Sequence, residues 1–242
     1  MIDLLVIGGG PAGYVAAERA GHAGLSVVLF EKKAMGGVCL NEGCIPTKTL
    51  LYSAKMYENA LHGEKYGVLG ENIRFDYGKM LSRKKKVVRK LVSGVEGKMK
   101  SNRVTVVKGD ARIDGRSGEG IEVSCNNERY VGKNLLVCTG SEASVPPIPG
   151  LKEAGDAILT NREILEMETR PASLVVIGGG VIGMEFASFF NSLGTRVTVI
   201  EMLPEILGGL DQRTVYFGHH RVERQNHEWE VVVDHAEHDR AL

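Results

Sequence analysis

The apolar positions of this chain fall into short runs, and one ordered set of runs occurs twice. Leu4-Leu5-Val6-Ile7 stops at Gly8-Gly9-Gly10, and Leu174-Val175-Val176-Ile177 stops at Gly178-Gly179-Gly180. At an offset of 170 the match continues through Gly13/Gly183, Ala17/Ala187, Gly24/Gly194, Val27/Val197 and Glu31/Glu201. Each copy predicts a strand, a glycine turn, a helix, a second strand and a terminal acid.

Other patterns fill the space between the copies. Residues 82–103 place Val87, Leu91, Val95 and Met99 at helical spacing, with Val88 and Val92 beside them. Nine basic residues share that stretch, including Arg83-Lys84-Lys85-Lys86, so it predicts an amphipathic helix with a solvated basic face rather than a nucleic-acid surface. Val104–Val107, Ile121–Cys125 and Tyr130–Val137 predict short strands around a Gly/Asn-rich hairpin. Residues 145–150, Val-Pro-Pro-Ile-Pro-Gly, predict an extended connector into a second module. No apolar run reaches the ~18 residues of a membrane span.

Composition adds one strong signal. Glycine stands at 31 of 242 residues, about twice the usual share, without a collagen period and with only seven prolines. Thirty basic and thirty acidic side chains leave no net field toward nucleic acid or an anionic membrane. Four cysteines make no secreted disulfide framework, and no basic region precedes the first apolar run, so the expected compartment is the cytoplasm.

The glycines have distinct jobs in a G-x-G-x-x-G loop. The first (Gly8, Gly178) makes the turn, the second (Gly10, Gly180) lets a pyrophosphate approach the backbone, and the third (Gly13, Gly183) packs helix on strand. The helix N-terminus then offers unpaired N–H groups to phosphate. Glu31 and Glu201 each lie 23 residues after the first glycine, near the ~20 expected for an acid on ribose hydroxyls. One such loop is compatible with a chance glycine turn; two complete copies are not. Met202-Leu203-Pro204 after Glu201 offers no cation for a 2′-phosphate, which favours NAD over NADP at the second site.

Gly36-Gly37-Val38-Cys39-Leu40-Asn41-Glu42-Gly43-Cys44-Ile45-Pro46-Thr47-Lys48 follows the first acid. Two thiols five positions apart at a helix start can close a small disulfide, and a helix terminus lowers a thiolate's pKa. An inert buried pair is the bland alternative. A metal site would need further ligands at zinc spacing, which are absent nearby. Cys138 reads as a core strand residue, and Cys125 has no apparent partner.

This segment resembles the redox-active segment of the pyridine nucleotide-disulfide oxidoreductases, in the Cys-Leu-Asn-x-Gly-Cys-Ile-Pro-[Ser/Thr]-Lys form of dihydrolipoamide dehydrogenase. Glutathione and mercuric reductases resemble it less, and thioredoxin reductase fits poorly. The resemblance runs from about residue 1 to about 211. It implies an α/β fold: a Rossmann-like FAD-binding domain, residues 1–150, carrying the cysteine pair, and an incomplete inserted NAD-binding Rossmann module, residues 151–211. It implies FAD on Gly8, Gly10, Gly13 and Glu31, with Ala111 near the adenine and Thr139-Gly140 near the flavin's phosphates. Cys44 would be the charge-transfer thiol, Cys39 the interchange thiol, and Lys48 would lie close to flavin N5. NAD would bind Gly178, Gly180, Gly183 and Glu201, with Glu185 toward the nicotinamide. The implied substrate is dihydrolipoamide or another small dithiol or disulfide. The implied partners are the lipoyl domains of 2-oxo acid dehydrogenase or glycine cleavage complexes, and a second copy, since the family pairs as homodimers.

Residues 212–242 read differently. They hold five of the seven histidines and the only tryptophan, but one glycine and no lysine. The family's second FAD segment, interface domain and C-terminal His/Glu base have no visible counterpart. His219-His220 with His235 and His238 lack a carboxylate-framed metal motif, so no metal is expected. The expectations here are a tail out of frame from about residue 213, one strand at Trp229–Val233, an uncovered edge on the second sheet, and weak turnover with impaired flavin retention. The competing expectation is a non-catalytic dinucleotide-binding fragment.

Overall fold

A computed structural model describes residues 1–208 and the backbone of two strands at 220–225 and 228–233. The first glycine repeat folds as strand β1 (Ile2–Ile7), helix α1 (Pro11–His22) and strand β2 (Val27–Glu31). Helices α2 (Gly37–Asn41), α3 (Cys44–Leu61) and α4 (Tyr77–Ser101) follow. Strands β3 (Thr105–Lys108), β4 (Arg112–Ser117), β5 (Gly120–Cys125) and β6 (Glu128–Val137) come next. After the connector come α5 (Asn161–Glu166), β7 (Ser173–Ile177), α6 (Val181–Ser192), β8 (Arg196–Ile200), β9 (His220–Gln225) and β10 (Glu228–Val233).

The chain divides into two compact units, Met1–Pro46 with Lys84–Leu165, and Thr47–Arg83 with Glu166–Leu242. The first holds a six-stranded sheet in the order β3-β2-β1-β6-β5-β4. β2 and β3 extend one side of β1 in parallel, and β6 lies parallel on its other side. Strand side chains alternate between faces, so two cores form. Val6, Val27 and Leu29 pack on Ala17, Leu40, Val95 and Met99. Leu5, Val28 and Phe30 pack on Val123 and Cys125 across the other face. The β5–β6 turn places Asn126 and Asn127 at φ 53° and 64°, the left-handed pair a tight hairpin needs.

The basic helix begins earlier than the pattern predicts, at Tyr77, and its stripe differs. Leu91 is exposed, whereas Lys84 is buried at 2% and donates from Nζ to the Leu165 carbonyl oxygen. One member of the basic run therefore sits inside, because the carbonyl at the end of α5 satisfies it.

The second unit holds the sheet β7-β8-β10-β9. β7 and β8 are parallel, while β10 pairs antiparallel with β8, placing Glu228 opposite Ile200. The strand expected at Trp229–Val233 exists, runs 228–233 and takes the β8 side of the expected uncovered edge, with β9 paired beyond it, while β7 ends the described sheet on its other side. The backbone groups of β10 satisfy those of β8. Phe186, Phe189 and Phe190 of α6 are buried in this unit, and Tyr77 stacks at 6.4 Å from Phe189. His219, His235 and His238 lie outside the described residues.

Candidate functional site

The turns after β1, β2, β3 and β6 converge at the carboxyl ends of their strands. Strand order reverses between β1 and β6, the place where open α/β sheets leave a crevice. A cleft of about 420 Å³ opens there. Ile7, Gly8 and Gly10 line it from the first turn, Glu31 to Ala34 from the second, Gly109 to Ala111 from the third, and Cys138 to Glu142 from the fourth. Cys39, Asn41, Glu42 and Arg162 close the remaining wall.

The glycine turn has the geometry its spacing predicts. Gly8 has φ +106°, and a Cβ there would overlap the Cys138 carbonyl oxygen. A Cβ on Gly13 would overlap the Gly8 carbonyl oxygen, so α1 can lie this close to β1 only with glycine at that position. Gly10 is different. A Cβ there would meet nothing nearer than Gly37 Cα at 3.8 Å, so the α1 N-terminus faces open space able to take an anion. In the second copy, Gly178 has φ +104°, a Cβ on Gly183 would meet the Gly178 carbonyl oxygen at 2.5 Å, and a Cβ on Gly180 would meet nothing within 4 Å.

The repeat extends to hydrogen bonds that sequence spacing does not reveal. Gly9 N–H donates to Glu31 Oε2 at 2.7 Å, and Lys33 N–H donates to Oε1 at 2.6 Å. Gly179 N–H donates to Glu201 Oε2 at 2.7 Å, and Leu203 N–H to Oε1 at 2.8 Å. Both acids are thereby turned back over their glycine loops, and each oxygen keeps a lone pair for a hydroxyl donor. The bonds from Leu203 and Gly179 hold the Glu201 carboxyl below its ordinary range.

Cys39 lies on α2 and Cys44 opens α3; all four cysteines are thiols here. α2 starts where Gly36 and Gly37 both take positive φ, and Gly36 N–H donates to the Gly9 carbonyl oxygen at 2.8 Å. That bond and the Gly10–Gly37 approach bring the cysteine segment against the first glycine loop. Asn41 Nδ2 donates to the carbonyl oxygens of Gly37 and Met35, fixing α2 on its own entry turn.

Gly8, Gly10, Glu31, Cys39, Ala111, Thr139 and Gly140 thus share one cleft, with Gly13 packed beneath it. Cys44 is exposed and is not among the cleft-lining residues. Lys48 and Glu185 form an ion pair at 2.9 Å in the second unit. Cys138 corrects its strand reading: it stands one residue beyond β6, half-buried, on the cleft wall, with burial raising its thiol pKa. Cys125 is a core residue, and burial, then Asp110 and Glu128, raise its thiol pKa.

Sequence reasoning missed Glu42, Glu142 and Arg162. Arg162 donates from Nε to Glu42 and from Nη1 to Glu142, each at 2.5 Å. A pairing across 120 positions leaves no local signal. Among the described residues no group of three or more His, Cys, Asp or Glu could hold a metal ion, and no helix is long and apolar enough to cross a membrane.

Residues 2–239 match the model of the pyridine nucleotide-disulphide oxidoreductases. The chain belongs to that family. Within the family it is 46% identical over 212 residues to a dihydrolipoyl dehydrogenase of Acholeplasma laidlawii, covering 86% of this chain and 62% of that protein. It is 42% identical over 208 residues to a dihydrolipoyl dehydrogenase of Mycoplasma genitalium, covering 85% and 45%. The chain therefore spans roughly half the length of such relatives. Among solved structures it resembles the HOCl-induced flavoprotein disulfide reductase RclA from Escherichia coli, with TM-score 0.73 and 29% identity over 87% of this chain and 44% of that one. The α/β Rossmann-like architecture expected from the glycine repeat is that of this oxidoreductase family.

Proposed function

We propose that this chain acts as the FAD-binding and cysteine-bearing portion of a dihydrolipoamide dehydrogenase, passing electrons from a dithiol through Cys39 and Cys44 to FAD and on to NAD. The carrying observation is the shared cleft, in which the first glycine loop, Glu31 and Cys39 face one space of about 420 Å³. The open side of Gly10 fits a pyrophosphate, and Glu31 and Ala111 fit the adenosine end. A bound flavin would supply a two-electron carrier between the dithiol and NAD.

The residues divide the work. In the disulfide form, a thiolate of dihydrolipoamide attacks Cys39 Sγ, and Cys44 leaves as thiolate. The second substrate thiol then closes lipoamide's ring and releases Cys39, so two electrons and two protons leave the substrate. Thr139-Gly140 holds the flavin's phosphates, and Lys48 holds positive charge one turn beyond Cys44. At the second loop, Gly178, Gly180, Gly183 and Glu201 would hold NAD, with Glu185 toward its nicotinamide. The division proposed is residues 1–150 for FAD, 151–211 for NAD, and a distinct tail. Lipoyl domains as partners and a cytoplasmic setting belong to the same proposal, on the strength of the resemblance and the cysteine usage.

The test is the purified chain given FAD, NAD and dihydrolipoamide. A retained flavin spectrum with NADH formation, the NADH formation lost and the flavin kept in C39S and C44S, supports the reading. Retained flavin with no disulfide exchange supports a non-catalytic dinucleotide-binding protein instead. In the reverse direction, with NADH as reductant, faster turnover of oxidised glutathione than of lipoamide assigns the substrate to the glutathione type.

A further inference from the structure

We infer that Arg162 is a positioning residue for FAD: it holds Glu42 and Glu142 on the wall of the first cleft and offsets their charge, so that the pyrophosphate can enter. The inference rests on the reading of that cleft as the flavin site.

The charges of the cleft are balanced against an anion. Glu31, Glu42, Asp110 and Glu142 line it with Lys32, Lys33 and Arg162, so four acids face three cations and the formal balance is −1. Lys32 Nζ lies 3.9 Å from Asp110, and Lys33 Nζ lies 3.8 Å from Glu142. All four of those side chains are more than half exposed, so solvent screens both pairs.

Arg162 is placed differently. It donates from Nε to Glu42 Oε2 and from Nη1 to Glu142 Oε2, each at 2.5 Å, and its side chain is 29% exposed. The planar fork lets one cation meet two carboxylates. Glu142 directly follows Thr139-Gly140-Ser141, the turn that ends β6. The hydrogen bond from Arg162 holds its carboxyl below the ordinary range, so it is ionised at neutral pH. Asn161 Nδ2 donates to the Glu42 carbonyl oxygen at 2.7 Å, which keeps Glu42 beside the same helix.

That helix is fixed at both ends. α5 has six residues, too few to persist alone. At its start, Glu163 Oε2 accepts from Thr160 N–H at 2.7 Å and from Thr160 Oγ1 at 2.5 Å, a capping arrangement. At its end, buried Lys84 donates to the Leu165 carbonyl oxygen.

Coulomb's law sets the sign. A pyrophosphate diester brings two negative charges to the N-terminus of α1, which lines the same cleft through Gly10, Pro11 and Ala12. Without Arg162, four acids would face two cations, a balance of −2, and the anion would be repelled. Without Glu142, three acids would face three cations, and repulsion would fall.

Calorimetric titration of FAD into the flavin-free chain tests this at about 10 mM and about 1 M KCl, where the screening length falls from roughly 30 Å to roughly 3 Å. At low salt R162Q should bind FAD about fivefold more weakly than the parent, the upper scale of one partly exposed charge pair. E142Q should bind it more tightly, a gain that a folding defect would not produce. The double variant R162Q/E142Q restores the balance of −1 and should bind like the parent, as should R162K, which keeps the charge and loses the fork. The gap between R162Q and the parent should close at high salt. Weaker binding by E142Q, parent-like binding by R162Q at low salt, or a gap undiminished at high salt overturns the charge role while leaving the flavin site in place. Failure of the parent to bind FAD overturns both.

Discussion

Lys48 and Glu185 stand 137 positions apart and meet as an ion pair, Nζ to Oε1 at 2.9 Å. Lys48 lies one turn after Cys44 on α3, and Glu185 lies in the second turn of α6. The lysine side chain is 63% exposed, so the pair contributes little to stability. K48M should leave the thermal midpoint within about 2 °C. Its effect should fall on chemistry: in the flavin-loaded chain, flavin reduction by dihydrolipoamide should slow by about tenfold or more. Stopped-flow absorbance reads the rate, and an unchanged one would remove Lys48 from the reaction.

The glycines of the first loop separate fold from binding. A Cβ at Gly13 overlaps the Gly8 carbonyl oxygen, so G13A should destabilise by about 2–4 kcal/mol, read by urea unfolding. Gly10 has room for a methyl group, its nearest neighbour being 3.8 Å away, and its φ of −72° suits alanine. G10A should therefore unfold with the parent while losing about tenfold or more in FAD affinity, since the added Cβ stands where the pyrophosphate approaches. Equal FAD affinity in G10A would place the phosphates elsewhere.

Acid should weaken the second loop through Glu201. Bonds from Leu203 and Gly179 lower its pKa in the folded chain from an ordinary 4.5. A lowered folded pKa adds stability above the unfolded value and loses it as pH falls through the folded one. The stability gap between the parent and E201Q should thus be full near pH 7 and close progressively below about pH 4.5. Thermal unfolding across that range checks it; a gap that widens in acid would contradict the bonding.

Alkylation should sort the cysteines. Cys44 is exposed, whereas Cys125 is 2% exposed with its thiol pKa raised by burial and by Asp110 and Glu128. Iodoacetamide at pH 8 should label Cys44 about tenfold or more faster than Cys125, which should react freely only in denaturant. Peptide mass spectrometry gives both rates. Early labelling of Cys125 would mean that the core around Val123 and Phe30 opens readily.

Periodicity located most elements, because their apolar faces must be buried at fixed spacing. β5 and β6 begin within two residues of their apolar runs. β4 left no such trace: Arg-Ile-Asp-Gly-Arg-Ser is exposed along its length and is a strand only because β5 offers it hydrogen bonds. Lys84 misled for a related reason. A lysine in a basic run reads as solvated, and only the nearby end of α5 supplies the carbonyl that lets it be buried.

The sequence by itself determined the two glycine loops, the acids after them and the segment that carries the thiols. Those features are local: backbone turns, helix starts and short spacings are written within some thirty residues. Tertiary structure alone decided what those features face. It turned Glu31 and Glu201 onto Gly9 and Gly179, and it seated β10 against β8. It also brought Arg162 to Glu42 and Lys48 to Glu185. Such pairings depend on where the sheets return the chain, and no short-range pattern records a contact made across more than a hundred residues.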